Sequence, residues 1–143
     1  MNILVIQGPN LNLLGKKSAA IGKRITLDKV NKALRLLVRN RDVHLKIFQS
    51  HHLEKAVTVI QRQRNWAHGI VLAPSSWARY EWTLKETLTL INLPVVEVFF
   101  RADFSFGTTA KESILKDVCV QTIESDPIDA FSLAVEYLIK HAV

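Results

Sequence analysis

The sequence has little of several features that would place it in a special class of protein. Cys119 is its only cysteine, so no internal disulfide can form, and a buried thiol in an apolar strand of a cytoplasmic protein is the simplest interpretation. No apolar run approaches the roughly 20 residues of a membrane span, and residues 1–7 lack the basic segment of a secretory signal. We therefore expect neither a membrane partner nor a cleaved signal.

Acidic residues are also scarce, because 13 Asp and Glu face 19 Lys and Arg, which gives a formal net charge of +6. Such an excess can attract nucleic acids or acidic ligands. However, the cations are spread over several predicted helices and not massed in one run, and no nucleic-acid motif is present. A solvated basic surface is thus the expectation, and not a nucleic-acid partner.

The composition of the chain is that of a protein with a packed core, and strand-like and helix-like segments alternate along it. Hydrophobic residues make up 48% and charged residues 22%, without repeat, low-complexity tract or linker, so we expect one packed domain over residues 1–143. Short apolar runs alternate with segments of helical spacing. The predicted strands are Ile3–Gln7, Val43–Phe48, Gly69–Ala73, Pro94–Phe99 and Val118–Ile123, and the predicted helices are Thr26–Val38 with Thr26 as N-cap, Leu53–Trp66, Trp82–Ile91 and one beginning at Asp126-Pro127.

This alternation predicts an α/β fold with a parallel sheet covered by helices on both faces. In such open sheets a ligand binds beyond the carboxyl ends of the strands. That rule selects four segments as the candidate site: 8–12, 49–52, 73–79 and 99–106.

Five sequence blocks, in this order and spacing, then carry a resemblance. "GPNLNLLG", "GKRITL", "FQSHH", "GIVLAPSSW" and "LPVVEVFF" resemble type II 3-dehydroquinate dehydratases, and the similarity extends over essentially the whole chain. The resemblance implies a flavodoxin-like three-layer sandwich with five parallel strands in the order 2-1-3-4-5. It also implies a homo-oligomer, a dodecamer built of trimers, and a shikimate-pathway reaction that needs neither a metal nor another cofactor.

The family's reaction is the anti elimination of water from 3-dehydroquinate. In the family, a tyrosinate in the loop after strand one removes a proton beside the ketone, and an arginine of that loop lowers the pKa of the tyrosine. An asparagine of the "GPN" turn holds a water that stabilises the enolate oxygen. A histidine at the end of strand four protonates the departing hydroxyl.

When the family's catalytic residues are matched to this chain by the resemblance, few of them have a counterpart. Asn10 matches the water-holding asparagine, and Glu97 is also retained. Lys17 replaces the loop arginine, which keeps the charge but loses the planar fork. The loop between Gly15 and Gly22 is one residue short and has no tyrosine, with Ile21 in its place, and Phe99 replaces the histidine.

The substrate-binding positions also differ from the family pattern. Alanine or phenylalanine stands at three of these positions, and arginine stands where the family has a histidine and a serine. The resemblance aligns the candidate ligand-binding positions with Pro9, Asn12, Ala73, Ser75, Ser76, Arg79, Phe100, Arg101, Phe106 and Ala110, and places Glu86 at the aspartate contributed across the trimer contact.

Isoleucine and phenylalanine neither accept nor deliver protons, so we expect a catalytically degenerate homologue, a pseudoenzyme. It would bind a small, flat or apolar acid, or a protein partner through retained apolar surfaces and an exposed segment 101–109. The alternatives are an active 3-dehydroquinate dehydratase, a lyase, or an enzyme with new chemistry. The remaining candidate groups for such chemistry are His51, His52, Tyr80 and Glu81, and a metal site is not expected.

Overall fold

The strands of the computed structural model, which describes residues 1–141, form one parallel sheet in the order β2-β1-β3-β4-β5. The predicted fold class and strand order are confirmed. The apolar residues of the three inner strands are buried, as a sheet covered on both faces requires. The strands are β1 (Asn2–Gln7), β2 (His44–Gln49), β3 (Gly69–Ala73), β4 (Val95–Phe100) and β5 (Gln121–Ser125).

Helices cover the sheet on both faces because each has one apolar stripe to bury. On one face, Val30 and Leu34 of α2 pack with Phe131 of α6. On the other, Ile60 of α3 packs with Leu84 of α5. The helices are α1 (Leu14–Ala19), α2 (Leu27–Leu37), α3 (Leu53–Gln63), α4 (Trp77–Tyr80), α5 (Trp82–Ile91) and α6 (Pro127–His141), and short 3-10 turns occupy Leu11–Leu13, Ala110–Glu112 and Lys116–Val118.

Thr26 caps α2 as predicted, since its Oγ1 accepts a hydrogen bond from the backbone N–H of Lys29 at 3.2 Å. The last strand was predicted too early in the chain. A 3-10 turn occupies Lys116–Val118, and pairing with β4 brings Gln121 opposite Val96. Cys119 therefore lies half-buried before β5 and not inside a strand.

The segment 16–21 was predicted to be a loop, but α1 extends through Ala19 and occupies its first part. Ser18 is fully buried, and its Oγ accepts from the N–H of Ile25 at 3.1 Å and lies 2.8 Å from the Ile25 carbonyl oxygen. The Ser18 hydroxyl thus provides hydrogen-bond partners for both backbone groups of Ile25. Within residues 1–141, none of the helices is both long enough and apolar enough to cross a membrane.

Candidate functional site

The carboxyl ends of β1 and β3 lie side by side and bring two turns into contact. Gln7 pairs with Ala73, and the N–H of Gly8 donates to the Ala73 carbonyl at 2.9 Å. A Cβ on Gly8 would lie 2.7 Å from the carbonyl oxygen of Pro74 and 2.9 Å from that of Ala73. Because both of these atoms belong to the backbone, only glycine allows this close approach.

Asn10 follows in a left-handed conformation, with φ of 68°, and its residue surface is exposed. Its backbone N–H donates to Nδ1 of His51 at 3.1 Å, which joins the turn after β1 to the turn after β2. Asparagine is one of the few residues that adopt this conformation readily. The position of Asn10 therefore has a backbone explanation that does not involve a ligand.

The segment that would form a catalytic lid contains no acid and no aromatic group. Lys17 lies half-buried in α1, and Ile21 is 40% exposed in the turn that follows. The titratable residues between Gly15 and Gly22 are Lys16 and Lys17. An ammonium group at Lys17 provides positive charge but no paired hydrogen bonds of the kind that an arginine gives.

The end of β4 consists of aromatic side chains that are part of the core. Phe99 is 4% exposed and belongs to the apolar cluster that includes Trp77 and Leu115. Phe100 points to the opposite face of the sheet, where its ring centroid lies 6.1 Å from those of Phe106 and Phe131. Nothing in the sequence indicated the contact with Phe131, because 31 residues separate it from the end of β4 along the chain.

The space between the carboxyl ends of β3 and β4 is a small cavity of about 20 Å³. That volume holds about one water molecule, whereas ligand pockets measure roughly 300–1,000 Å³. None of its lining side chains is an acid or a base. The lining consists of Leu11, Ala73, Ser75, Val98, Phe99, Phe100, Ser105, Phe106 and Thr108.

The two arginines that replace polar residues of the family bind parts of the chain itself. Arg79 donates from Nη2 to the carbonyl of Gly107 at 2.9 Å, and its Nε lies 3.0 Å from Oε2 of Glu112. Arg101, whose side chain is 63% exposed, lies 3.4 Å from Oδ1 of Asp126. Neither arginine lines the cavity, and the sequence did not indicate their partners.

The segment after β4, predicted to be exposed, is only partly so. Phe104 is 7% exposed and Phe106 packs against Phe100, so the aromatic residues of the segment face inward while Arg101 and Asp103 face solvent. Thr109 and Glu112 close the next turn with reciprocal hydrogen bonds. The hydrogen bond from the Thr109 N–H is the main reason why the pKa of Glu112 falls below its usual range.

Glu97, the acid that the resemblance predicts to be retained, is fully buried on the face of β4 that carries Phe99. The hydroxyls of Ser113 and Thr122 each donate to its carboxylate at 2.7 Å. Burial raises the pKa of Glu97, while these hydrogen bonds and the charge of Lys116 act in the opposite direction. The carboxyl connects β4 to β5 and to the preceding turn, and it does not line the cavity.

The remaining candidate residues lie on the surface around this edge. His52 is exposed, with its Nδ1 3.8 Å from Oε1 of Glu54, and Tyr80 is 74% exposed at the end of α4. Pro9 and Ala110 are half-buried, and no group of three His, Cys, Asp or Glu side chains that could hold a metal ion occurs within residues 1–141. Exposed candidates also include Asn12, Ser76 and, on α5, Glu86, whereas Ser75 and Glu81 are half-buried.

Comparison with known proteins gives one consistent result. The sequence model of a family described as "Dehydroquinase class II" matches residues 1–139. A "3-dehydroquinate dehydratase" of Clostridium botulinum strain Hall is 31% identical, with 99% of this chain and 97% of that protein covered. A protein of the same name from Prochlorococcus marinus strain MIT 9301 is 33% identical, with 97% and 95% covered. The crystal structure of a type II dehydroquinase from Butyrivibrio crossotus has the same fold, with a TM-score of 0.85 at 23% identity and 97% of each chain covered.

Proposed function

The chain belongs to the class II dehydroquinase family, and on that premise we propose that it has the family's fold without the family's dehydratase reaction. The single observation that supports this most strongly is the cavity of about 20 Å³ between the ends of β3 and β4. It lacks both the volume for a six-membered ring bearing a carboxylate and hydroxyls and a group able to move a proton.

The missing groups act at different points of the reaction. Proton removal beside a ketone needs a base, and Ile21, which stands where the family has its tyrosine, has none. Loss of the hydroxyl needs an acid at the end of β4, where Phe99 is packed in the core. General acid–base catalysis contributes roughly 10²–10⁴-fold for each group, so the loss of both would leave little beyond positioning by Asn10.

The direct test measures formation of the conjugated enone from 3-dehydroquinate by ultraviolet absorbance. We expect no turnover at concentrations where the Clostridium botulinum relative serves as a positive control. Circular dichroism on the same sample verifies that the protein is folded. A turnover number in the ordinary enzyme range of about 1–10³ s⁻¹ would show instead that the chain is an active 3-dehydroquinate dehydratase.

A variant series tests whether packing or missing groups prevent the reaction. Ile21→Tyr, Lys17→Arg and Phe99→His together return the family's residue types to their positions. We expect this triple variant to remain inactive, because Phe100 and Phe106 still fill the cavity. Activity in the triple variant but not in the parent would mean that the loss of the reaction lies in the exchanged groups alone.

With the reaction absent, we propose that the protein acts through contacts with other macromolecules, beginning with copies of itself. The exposed face of α5 carries Trp82, 60% exposed, and Leu90, 83% exposed. Large exposed apolar side chains along one helix indicate a surface that is covered in an assembly. Light scattering after gel filtration should give a mass well above that of one chain, and Leu90→Glu should reduce it.

Binding of a small organic acid stays a prediction, and the size of the cavity argues against it. A thermal-shift screen with aromatic acids and shikimate-pathway metabolites measures it directly. We expect no increase in Tm at millimolar ligand. A reproducible increase that Phe106→Ala enhances would show that the cavity opens to admit a ligand.

A further inference from the structure

The excess of positive over negative charge in this chain lies in its first third. Residues 1–42 hold nine of the 19 Lys and Arg but only two of the 13 Asp and Glu, whereas residues 43–143 hold ten cationic and eleven acidic residues. The first segment therefore has a formal charge of +7 and the remainder −1. An even distribution of the net charge of +6 would give about +2 to the first segment and about +4 to the remainder.

Folding gathers these cations on one side of the sheet. Gly15 of α1 lies against Thr26, the N-cap of α2, so α1, the turn at 20–26 and α2 are neighbours. Apart from the half-buried Lys17, the cations are exposed. We call this surface the basic face and define it as Lys16, Lys17, Lys23, Arg24, Lys29, Lys32, Arg35 and Arg39.

Few acidic groups neutralise the basic face. Lys32 pairs with Asp28 at 3.1 Å, and no other salt bridge of the basic face occurs within residues 1–141. Arg41, which follows it, is excluded because it binds Glu136. Several uncompensated cations on neighbouring elements repel one another, and a bound polyanion would relieve that repulsion.

The cations on α2 have a regular arrangement. Lys29, Lys32 and Arg35 lie opposite the buried residues Val30 and Leu34, and they follow one another at intervals of three residues. Three residues of helix rise by about 4.5 Å, so these groups form a stripe that is continued by Arg39 after the helix ends. A stripe of flexible cations fits a regular row of phosphates.

The residue types on this surface distinguish between the possible polyanions. Residues 1–42 contain no Phe, Tyr or Trp. Aromatic side chains anchor proteins at membrane interfaces and stack on the bases of single strands, so both of these partners are disfavoured. Lysine and arginine without aromatic neighbours suit the phosphates of a duplex, whose bases are already stacked on each other.

We propose that the basic face binds the phosphate backbone of a nucleic-acid duplex without reading its sequence. The expectation of no nucleic-acid partner relied on the absence of a single basic run and of a sequence-reading motif. The three-dimensional arrangement of α1 and α2 replaces the run, and contact with phosphates alone needs no such motif. This proposal does not depend on the loss of dehydratase activity, because no residue of the basic face lines the cavity between β3 and β4.

The experiment is fluorescence anisotropy with the full chain and labelled duplexes of 20 base pairs, one DNA and one RNA, at 25–200 mM salt. Binding should weaken as salt rises, with a log–log slope of about −0.9 for each phosphate contacted, so about five contacts would lower the affinity roughly 500-fold between 50 and 200 mM. Two unrelated DNA sequences should bind within about threefold of each other. The DNA and RNA samples identify which duplex is preferred, and binding to either supports the proposal.

Two triple variants with equal loss of charge separate the basic face from net charge. Lys23→Gln, Arg35→Gln and Arg39→Gln alter the basic face, while Lys55→Gln, Arg62→Gln and Arg64→Gln alter exposed cations in and just after α3, on the opposite side of the sheet. We expect the first variant to weaken binding at least tenfold and to reduce the salt slope by about 2–3, and the second to change affinity less than threefold. Thermal unfolding of both variants verifies that they fold.

Four outcomes would overturn the proposal. These are no binding at 25 mM salt, equal weakening by the two triple variants, tighter binding to a single strand than to a duplex, and binding to phosphatidylserine vesicles without binding to duplexes. The last outcome would assign the basic face to an anionic membrane instead.

Discussion

The turn after β1 and the end of β4 lie at the same edge of the sheet, yet they differ in how they are held. Asn10 is exposed and is held through its backbone, whose N–H donates to His51 and whose carbonyl accepts from the N–H of Leu13. Phe99 and Phe100 are buried, one on each face of β4. The comparison shows that one side of this edge is held through its backbone with its side chain exposed, whereas the other side consists of side chains that belong to the core.

The largest effect should come from the end of β4. Phe100→Ala removes a ring that packs against Phe106 and Phe131 and leaves a cavity, so the free energy of unfolding should fall by about 3–5 kcal/mol. Urea denaturation followed by circular dichroism measures this loss. Phe100→Leu serves as the control, because it keeps most of the apolar volume and should cost less. A loss under about 1 kcal/mol for the alanine variant would contradict our view that this end of the strand is core.

The second prediction concerns the turn after β1, at Gly8, where the backbone of the turn after β3 comes close. Gly8→Ala places a methyl group 2.7 Å from the carbonyl oxygen of Pro74, so it should destabilise the fold by about 1–3 kcal/mol. Gly22→Ala is the matched control, because there a Cβ meets no atom within 4 Å and only the positive φ of 74° opposes it. A smaller cost at Gly8 than at Gly22 would mean that the contact between the two turns is loose.

Glu97 should make the stability of the protein depend on pH. Its pKa is raised in the folded state by burial, so its contribution to stability is fully present below the ordinary glutamate pKa of about 4.3 and is lost as the pH rises through the raised value. Each pKa unit between the folded and unfolded states corresponds to about 1.4 kcal/mol. The free energy of unfolding should therefore fall as the pH rises from the ordinary glutamate pKa through the raised pKa of Glu97.

Glu97→Gln should reduce that fall, because an amide can still accept from one hydroxyl and donate to the other without carrying charge. Urea unfolding at several pH values compares the two proteins. Glu54→Gln, at an exposed position, is the control and should leave the pH dependence unchanged. If Glu97→Gln leaves the dependence unchanged as well, other groups determine it.

The sequence predicted most of the fold because the signals are local. The apolar run of β3 and the helical spacing of 82–91 gave the observed bounds of β3 and α5. The strand at 118–123 was misplaced because Val118 and Val120 are apolar although one lies in a turn and the other is 53% exposed. Apolar character alone does not distinguish a turn packed on the core from an edge strand.

The candidate site was less predictable, because its contacts join distant parts of the chain. The resemblance predicted Phe99 in place of a histidine, but nothing in the sequence predicted the hydrogen bonds from Ser113 and Thr122 to Glu97. Similarly, the pairing of Arg79 with Glu112 has no local signal. Residue identity shows which chemical groups a segment carries, whereas the partners of those groups depend on how the loops fold.

The smallest effect should come from Asn10, which the resemblance matches to the water-holding asparagine of the family. Its left-handed backbone is the feature that the fold requires, so Asn10→Gly should change the free energy of unfolding by no more than about 0.5 kcal/mol, while Asn10→Ala should cost about 1 kcal/mol because its Cβ is strained there. Parallel urea denaturation of the two variants measures both values. If glycine were as costly as alanine, the carboxamide itself would be engaged in a contact that stabilises the protein. The turn after β1 would then be a working part of the molecule, comparable to the aromatic end of β4.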